Sequence, residues 1–201
     1  MKNLFLTLII IISSNSIAQE NYKLEIDGKT TEIELDKNYE INIDNKVHNI
    51  KVASKDTLVY TDNKISFKYL KNYKIATTEL DEGIKQLMLM NADGSGIIIQ
   101  IYSNMNPQLL NEIMLNEVTK ESVSYGFKLE RKDYERKLSS NQKIKINKAF
   151  LTYKDEINIY EVATFGTKDE GVLIMTMKMD NEKNSDGQKL IDLTWNSFKY
   201  N

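Results

Sequence analysis

The chain has 201 residues, with 27 basic and 29 acidic side chains, one histidine, no cysteine and a formal net charge of −2. So even a balance excludes a dominant role in binding nucleic acid, which needs a basic face. The missing cysteines exclude disulfide staples, thiol catalysis and zinc–thiolate sites, so packing alone must hold the fold.

Residues 1–18 read as an export signal. Lys2 gives the positive start, Leu4–Ile12 the apolar run, and Ser16-Ile17-Ala18 the small residues before cleavage after Ala18. At about 1.5 Å per residue the apolar run covers under half of a roughly 30 Å hydrocarbon layer, so no membrane span is expected after cleavage. The expected location is periplasmic or secreted.

From residue 19 to 63 the pattern is a small all-β unit. Tyr22–Leu35 lies over Tyr39–Val52 as an internal repeat. Each copy reads as a hairpin, because Asp27-Gly28 and Asp44-Asn45 tolerate the positive φ of a tight turn and are flanked by alternating apolar residues. Leu58–Tyr60 continues in strand character, and the turn at Asp62-Asn63 marks the expected boundary.

Residues 64–201 form the second expected unit. Ile65–Tyr69, Tyr73–Thr78 and Ile84–Met90 read as strands, and Gly96–Tyr102, a nearly continuous β-branched run, as a strand buried on both faces. Pro107 then opens a helix to Tyr125 with its apolar stripe at Leu110, Ile113, Met114 and Val118. Phe127–Leu138, Ile144–Tyr153, Ile157–Phe165 and Val172–Met179 alternate as strands, the last three as an antiparallel meander. A closing helix over Asp186–Phe198 carries Leu190, Ile191, Thr194, Trp195 and Phe198 inward, with Ser185 or Asp186 as its cap. The expected class is α+β: an antiparallel sheet flanked by two helices, preceded by the repeated hairpins.

The lead-in Ile65–Ile75, the Gly96–Tyr102 strand running into a helix, the late meander and the closing helix with Trp195 and Ser197-Phe198 resemble the PsbP-like fold family, including bacterial envelope proteins of the DcrB kind. The resemblance covers about residues 64–201. It departs at Leu70, where such proteins usually carry proline. It implies a binding or docking module without catalytic residues, and no functional residue carries over from it.

Candidate chemistry is sparse. His48 has no second imidazole and no triad partner at readable spacing, so it reads as a strand residue. Met88 and Met90, and Met175, Met177 and Met179, alternate on two strands. Alternation predicts an inward core face, with a Cu(I)-holding cluster and a greasy ligand pocket as the other readings. The loop from Asp180 through Glu182, Asn184 and Asp186 has calcium-like spacing, but Ser185 replaces the required glycine and Ile191 the final glutamate. Asn91–Gly96 joins two strands rather than a strand and a helix, so it is a turn and not a phosphate cradle. The acids Glu79, Asp81, Glu82, Asp169 and Glu170 fall in turns. The basic run Lys128, Arg131, Lys132, Arg136, Lys137 is interrupted by Glu130, Asp133 and Glu135.

The sequence therefore points to no catalytic, cofactor-binding or metal-binding residue and to no cofactor. The expected function is an exported, non-enzymatic envelope module that binds a protein partner or a hydrophobic small molecule. The alternatives are an immunity or inhibitor protein against a periplasmic toxin, and an envelope enzyme using carboxylates brought together by folding.

Overall fold

The computed structural model describes residues 22–179 and 182–201; the export signal read over 1–18 and Asp180 of the acidic loop lie outside the described residues. The chain divides into two compact units, Met1–Ser54 and Lys55–Asn201.

In the smaller unit, strand β1 (Tyr22–Ile26) pairs with β2 (Lys29–Ile33), and β3 (Asn38–Ile43) with β4 (Lys46–Lys51), both antiparallel. The hairpins close where the turn chemistry demands it. Asp27 and Gly28 have φ of 50° and 77°, and Asp44 and Asn45 of 52° and 58°, the left-handed pair that matches the twist of the flanking strands. The two copies are tied together by the Asp36 amide donating to the Val52 carbonyl (2.8 Å) and by the Glu34 amide donating to the Tyr39 hydroxyl (2.8 Å).

The larger unit begins with β5 (Thr57–Thr61), β6 (Ile65–Leu70), β7 (Ala76–Asp81), β8 (Ile84–Met90) and β9 (Gly96–Tyr102). A short 3-10 turn at Pro107–Leu109 leads into helix α1 (Leu110–Ser124). Then follow β10 (Lys128–Arg131), β11 (Tyr134–Lys137), β12 (Lys143–Tyr153), β13 (Glu156–Gly166), β14 (Gly171–Lys178), helix α2 (Asp186–Ser197) and β15 (Lys199–Tyr200). Asn106 caps the 3-10 turn by accepting from the Gln108 amide, and Ser185 caps α2 in the same way.

Eight strands make one antiparallel sheet in the order β10-β12-β13-β14-β9-β8-β7, with β11 pairing the other stretch of β12. A separate three-stranded sheet has the order β15-β6-β5. Two cores result. On one face, Leu89, Ile97, Ile99, Phe165 and Ile174 pack with Ile65 and Phe67 of β6 and with Leu190, Trp195 and Phe198. On the other, Leu151, Val162, Leu173 and Met175 pack against Leu115, Leu110, Met114 and Val118 of α1.

Two expectations are corrected. The α+β class with a sheet flanked by two helices does not hold: strands account for 52% of the described residues and helix for 17%, and the large sheet is accompanied by small ones. The first core is covered by a second sheet layer together with α2, not by a helix alone. Periodicity finds strands but cannot say which sheet a strand joins, and β5, β6 and β15 look like any other alternating segment. The boundary also falls earlier than the Asp62-Asn63 turn. There the Asp62 carboxylate accepts from the amides of Lys64 and Ile65 (2.9 Å each), so the expected turn closes a hairpin between β5 and β6 inside the larger unit. Among the described residues, no helix is long and apolar enough to cross a membrane.

If the small sheet is part of this core, Phe67→Ala costs about 3–5 kcal/mol through the cavity it leaves. Val59→Ala, on the same sheet but 60% exposed, changes stability by no more than about 0.5 kcal/mol. Urea unfolding of the two variants beside the parent measures both.

Candidate functional site

Strands β12, β13 and β14 each begin or end as ordinary core strands on the face beneath α2, then change character. On β12, Ile144 and Ile146 are followed at the same parity by Lys148 and Phe150. On β13, Phe165 and Ala163 give way to Glu161, Ile159 and Ile157, and on β14, Val172 and Ile174 give way to Thr176 and Lys178. The register aligns these changes. Lys148 pairs Glu161, which pairs Thr176; one row further, Phe150 pairs Ile159, which pairs Lys178.

Glu161 is the centre. It is 7% exposed, and removing a carboxylate from water costs several kcal/mol unless donors replace the lost hydration. Four donors converge on it. The Lys148 ammonium lies 2.8 Å from Oε1 and the Tyr134 hydroxyl 3.1 Å from the same oxygen. The Trp195 indole N–H donates to Oε2 at 3.2 Å, and the Thr176 hydroxyl reaches Oε2 at 3.5 Å. The four come from β12, β11, α2 and β14, so one carboxylate ties the helix to three strands of the sheet. Arg136 extends the network, donating to the Asn196 side chain at 2.7 Å with its guanidinium 5.7 Å from the Trp195 ring centre.

Beside this hub the sheet face is uncovered. A hollow of about 170 Å³ among Tyr134, Glu161 and Trp195 shares Ile159, Lys178 and Gln188 with a wider one of about 490 Å³. Together they make one groove with an apolar floor of Phe150, Ile157 and Ile159. Lysines surround the floor: the Lys132 and Lys148 ammonium groups lie 4.9 and 5.0 Å from the Phe150 ring centre. Five basic side chains, Lys132, Arg136, Lys148, Lys178 and Lys183, face three acidic ones, Glu130, Glu161 and Asp192, along its walls. Burial and the neighbouring Glu161 charge push the Tyr134 phenol up to about 12, so its proton stays in place to donate.

A scan of family models finds no match to this chain, and neither does a search of curated proteins. The groove therefore has to be understood from its own chemistry.

The residues singled out from the sequence lie elsewhere. His48 is exposed on β4, opposite Ile41. Asn91–Gly96 connects β8 to β9, with the Asn91 and Asp93 carbonyl and carboxylate oxygens both accepting from the Ser95 amide. Glu79, Asp81 and Glu82 are exposed, and Glu170 pairs Lys64. Asp186 pairs Lys189 at 3.0 Å. In the basic run, Arg131 pairs Glu112 and Asp133 and Lys132 pairs Glu130, a mixed face. Among the described residues, no three His, Asp or Glu side chains gather as a metal site. Sequence reasoning missed Glu161 and Lys148. The signal was there: a charged residue at inward parity, with Lys148 between Ile146 and Phe150, and Glu161 between Ile159 and Ala163.

Two outcomes test the hub. Glu161→Ala leaves Lys148 and the Trp195 N–H without their acceptor and is expected to cost about 3–5 kcal/mol in urea unfolding, with Glu161→Gln, which keeps a carbonyl oxygen, costing less. The phenol of Tyr134 ionises near pH 10 when unfolded but near 12 when folded. Its contribution is thus complete below about pH 10 and is lost as pH rises through 12. Tyr60, Tyr102, Tyr160 and Tyr200 are also raised, by burial first, and share in that loss. Stability should fall between about pH 10 and 12 and fall less steeply in Tyr134→Phe, followed by denaturation at stepped pH.

Proposed function

We propose that this protein is an exported, non-enzymatic binding module whose groove takes a hydrophobic small molecule with an anionic head. Export rests on the leader read over residues 1–18. The observation that supports the ligand class is the groove floor: Phe150, Ile157 and Ile159 left accessible on an otherwise covered sheet face, with lysines on its walls in excess over acids. Its wider part, about 490 Å³, is within the range of small-molecule sites. An apolar chain lies on the ring and the two isoleucines, and its carboxylate, sulfate or phosphate meets Lys132.

A binding role is also favoured by how Glu161 is held. A general base needs a free lone pair aimed at the substrate proton, whereas both oxygens of this carboxylate are engaged by protein donors. Its work is to fix Trp195 and Lys148 at the end of the groove.

A second reading, capture of a protein partner by the hairpin unit, is favoured by one observation. Leu24, Ile26, Tyr39, Ile41 and Ile43 line a cleft of about 400 Å³ within that unit, and each hairpin is a two-stranded sheet with unpaired outer edges among the described residues.

The test uses a fluorescent polyene fatty acid and its methyl ester. Saturable binding of the acid is expected, weakened about tenfold by Phe150→Ala, which removes roughly 1.5–3 kcal/mol of aromatic contact. Lys132→Gln should weaken the acid and leave the ester unchanged. Absence of a saturable signal, or equal binding by Phe150→Ala with its circular dichroism unaltered, overturns this reading. Loss of binding in Ile26→Lys/Ile41→Lys alone would move the site to the hairpin unit.

A further inference from the structure

The opposite face of the large sheet carries most of the methionines, and their placement is not that of a closed core. Met88 and Met90 on β8 and Met175, Met177 and Met179 at the end of β14 flank β9 from its two sides. Only Met175, 5% exposed, is buried. Met90, Met177 and Met179 are half-buried and Met88 is 37% exposed, because α1 packs chiefly over β12 and β13 and leaves this end of the face open.

Two cross-strand rows result. In one, Met88 and Met175 are separated by the Ile98 side chain. In the other, Met90 and Met177 are separated by Gly96, which has none. Glycine is compulsory there, since a Cβ would lie 2.1 Å from the Leu89 carbonyl oxygen. Strands two apart are roughly 10 Å from one another, a gap that two methionines can span when nothing stands between them. The Met90 sulfur lies 2.8 Å from where a Gly96 Cβ would be, so the glycine leaves room for it. Met179 approaches from the other direction: its sulfur accepts from the Tyr160 hydroxyl at 3.8 Å, and Tyr160 is the cross-strand partner of Met177.

Thioethers are soft, uncharged ligands on flexible stems, and they select soft monovalent ions over the hard or borderline divalent ones. We propose that Met90, Met177 and Met179 form a binding site for a soft monovalent cation of the Cu(I) class. The site is independent of the groove, which lies on the other face. Ion capture here needs no proton release, because a thioether carries no proton to lose, unlike imidazole or thiol ligands.

Silver(I), a redox-inert probe of the same softness, tests this on the full mature chain. With methionine methyl groups labelled for NMR, one equivalent of silver should shift the resonances of Met90, Met177 and Met179 and leave Met105 in place. Loss of an outer-shell partner typically costs roughly 10–100-fold in metal affinity, so loss of a direct ligand in Met177→Leu or Met179→Leu is expected to weaken binding by at least that much. These swaps keep side-chain volume and are well tolerated in packed sites. Affinity should be flat between about pH 5 and 8, where a histidine ligand would titrate. The proposal is overturned if silver shifts none of the three methyl groups, if the Met90→Leu/Met177→Leu/Met179→Leu chain binds as tightly as the parent, or if affinity drops towards pH 5 and vanishes in His48→Ala. The methyl shifts are read on the parent chain and decide the matter even if a variant misfolds.

Discussion

Each strand of a sheet delivers alternate side chains to two faces, and among the described residues of the larger unit there is little with which to cover them: two helices and one small three-stranded sheet for an eight-stranded sheet. That shortage shapes the whole larger unit. Beneath α2 and β6 the face is apolar and closed; along the flank of α2, the same strands turn to Lys148, Glu161 and Thr176, then to the row of Phe150, Ile159 and Lys178. On the reverse face α1 lies over β12 and β13, and the residues beyond it include most of the methionines. The chemistry of each face thus changes where its cover stops.

The Glu161 hub marks the line between closed and open sheet. A buried ion pair contributes little net stability compared with apolar residues of the same volume, but it is costly to misassemble, because any packing that moves one partner strands the other. Trp195 brings about as much apolar surface as any side chain, and an apolar floor would let it slide along the sheet. One hydrogen bond from its indole to a fixed carboxylate forbids that. The groove keeps its shape because the end of α2 is held at that point.

Much of the local structure was legible from alternation and turn chemistry. The turns at Asp27-Gly28 and Asp44-Asn45, the β9 strand, the β12–β14 meander and the cap at Ser185 all rest on interactions within a few residues in sequence. What could not be read was which sheet β5, β6 and β15 join, since that depends on contacts such as Asn201 to Lys64 and Ser197 to Lys68, made across more than half the unit. The site failed for a related reason. Glu161 and Lys148 are ordinary charges in a charged sequence until the register places them opposite one another on an inward face. The methionines were legible as two alternating stripes, but not the glycine that separates them, nor the helix that stops short of them.

The edges of the large sheet argue that its faces, and not its borders, are the working surfaces. An open edge invites another strand unless it is short, charged or bulged. At one border β7 is exposed throughout, carries Glu79 and Asp81, and has a register break between those two residues. At the other, β10 and β11 have four residues each, are rich in lysine, arginine and glutamate, and are interrupted at Lys132-Asp133, where Asp133 accepts the Lys148 amide and so uses up a ladder position. A partner strand would meet charge at either side. The surfaces left open to contact in this unit are therefore side chains standing off the sheet, which on one face are an aromatic floor among lysines and on the other thioethers around a glycine.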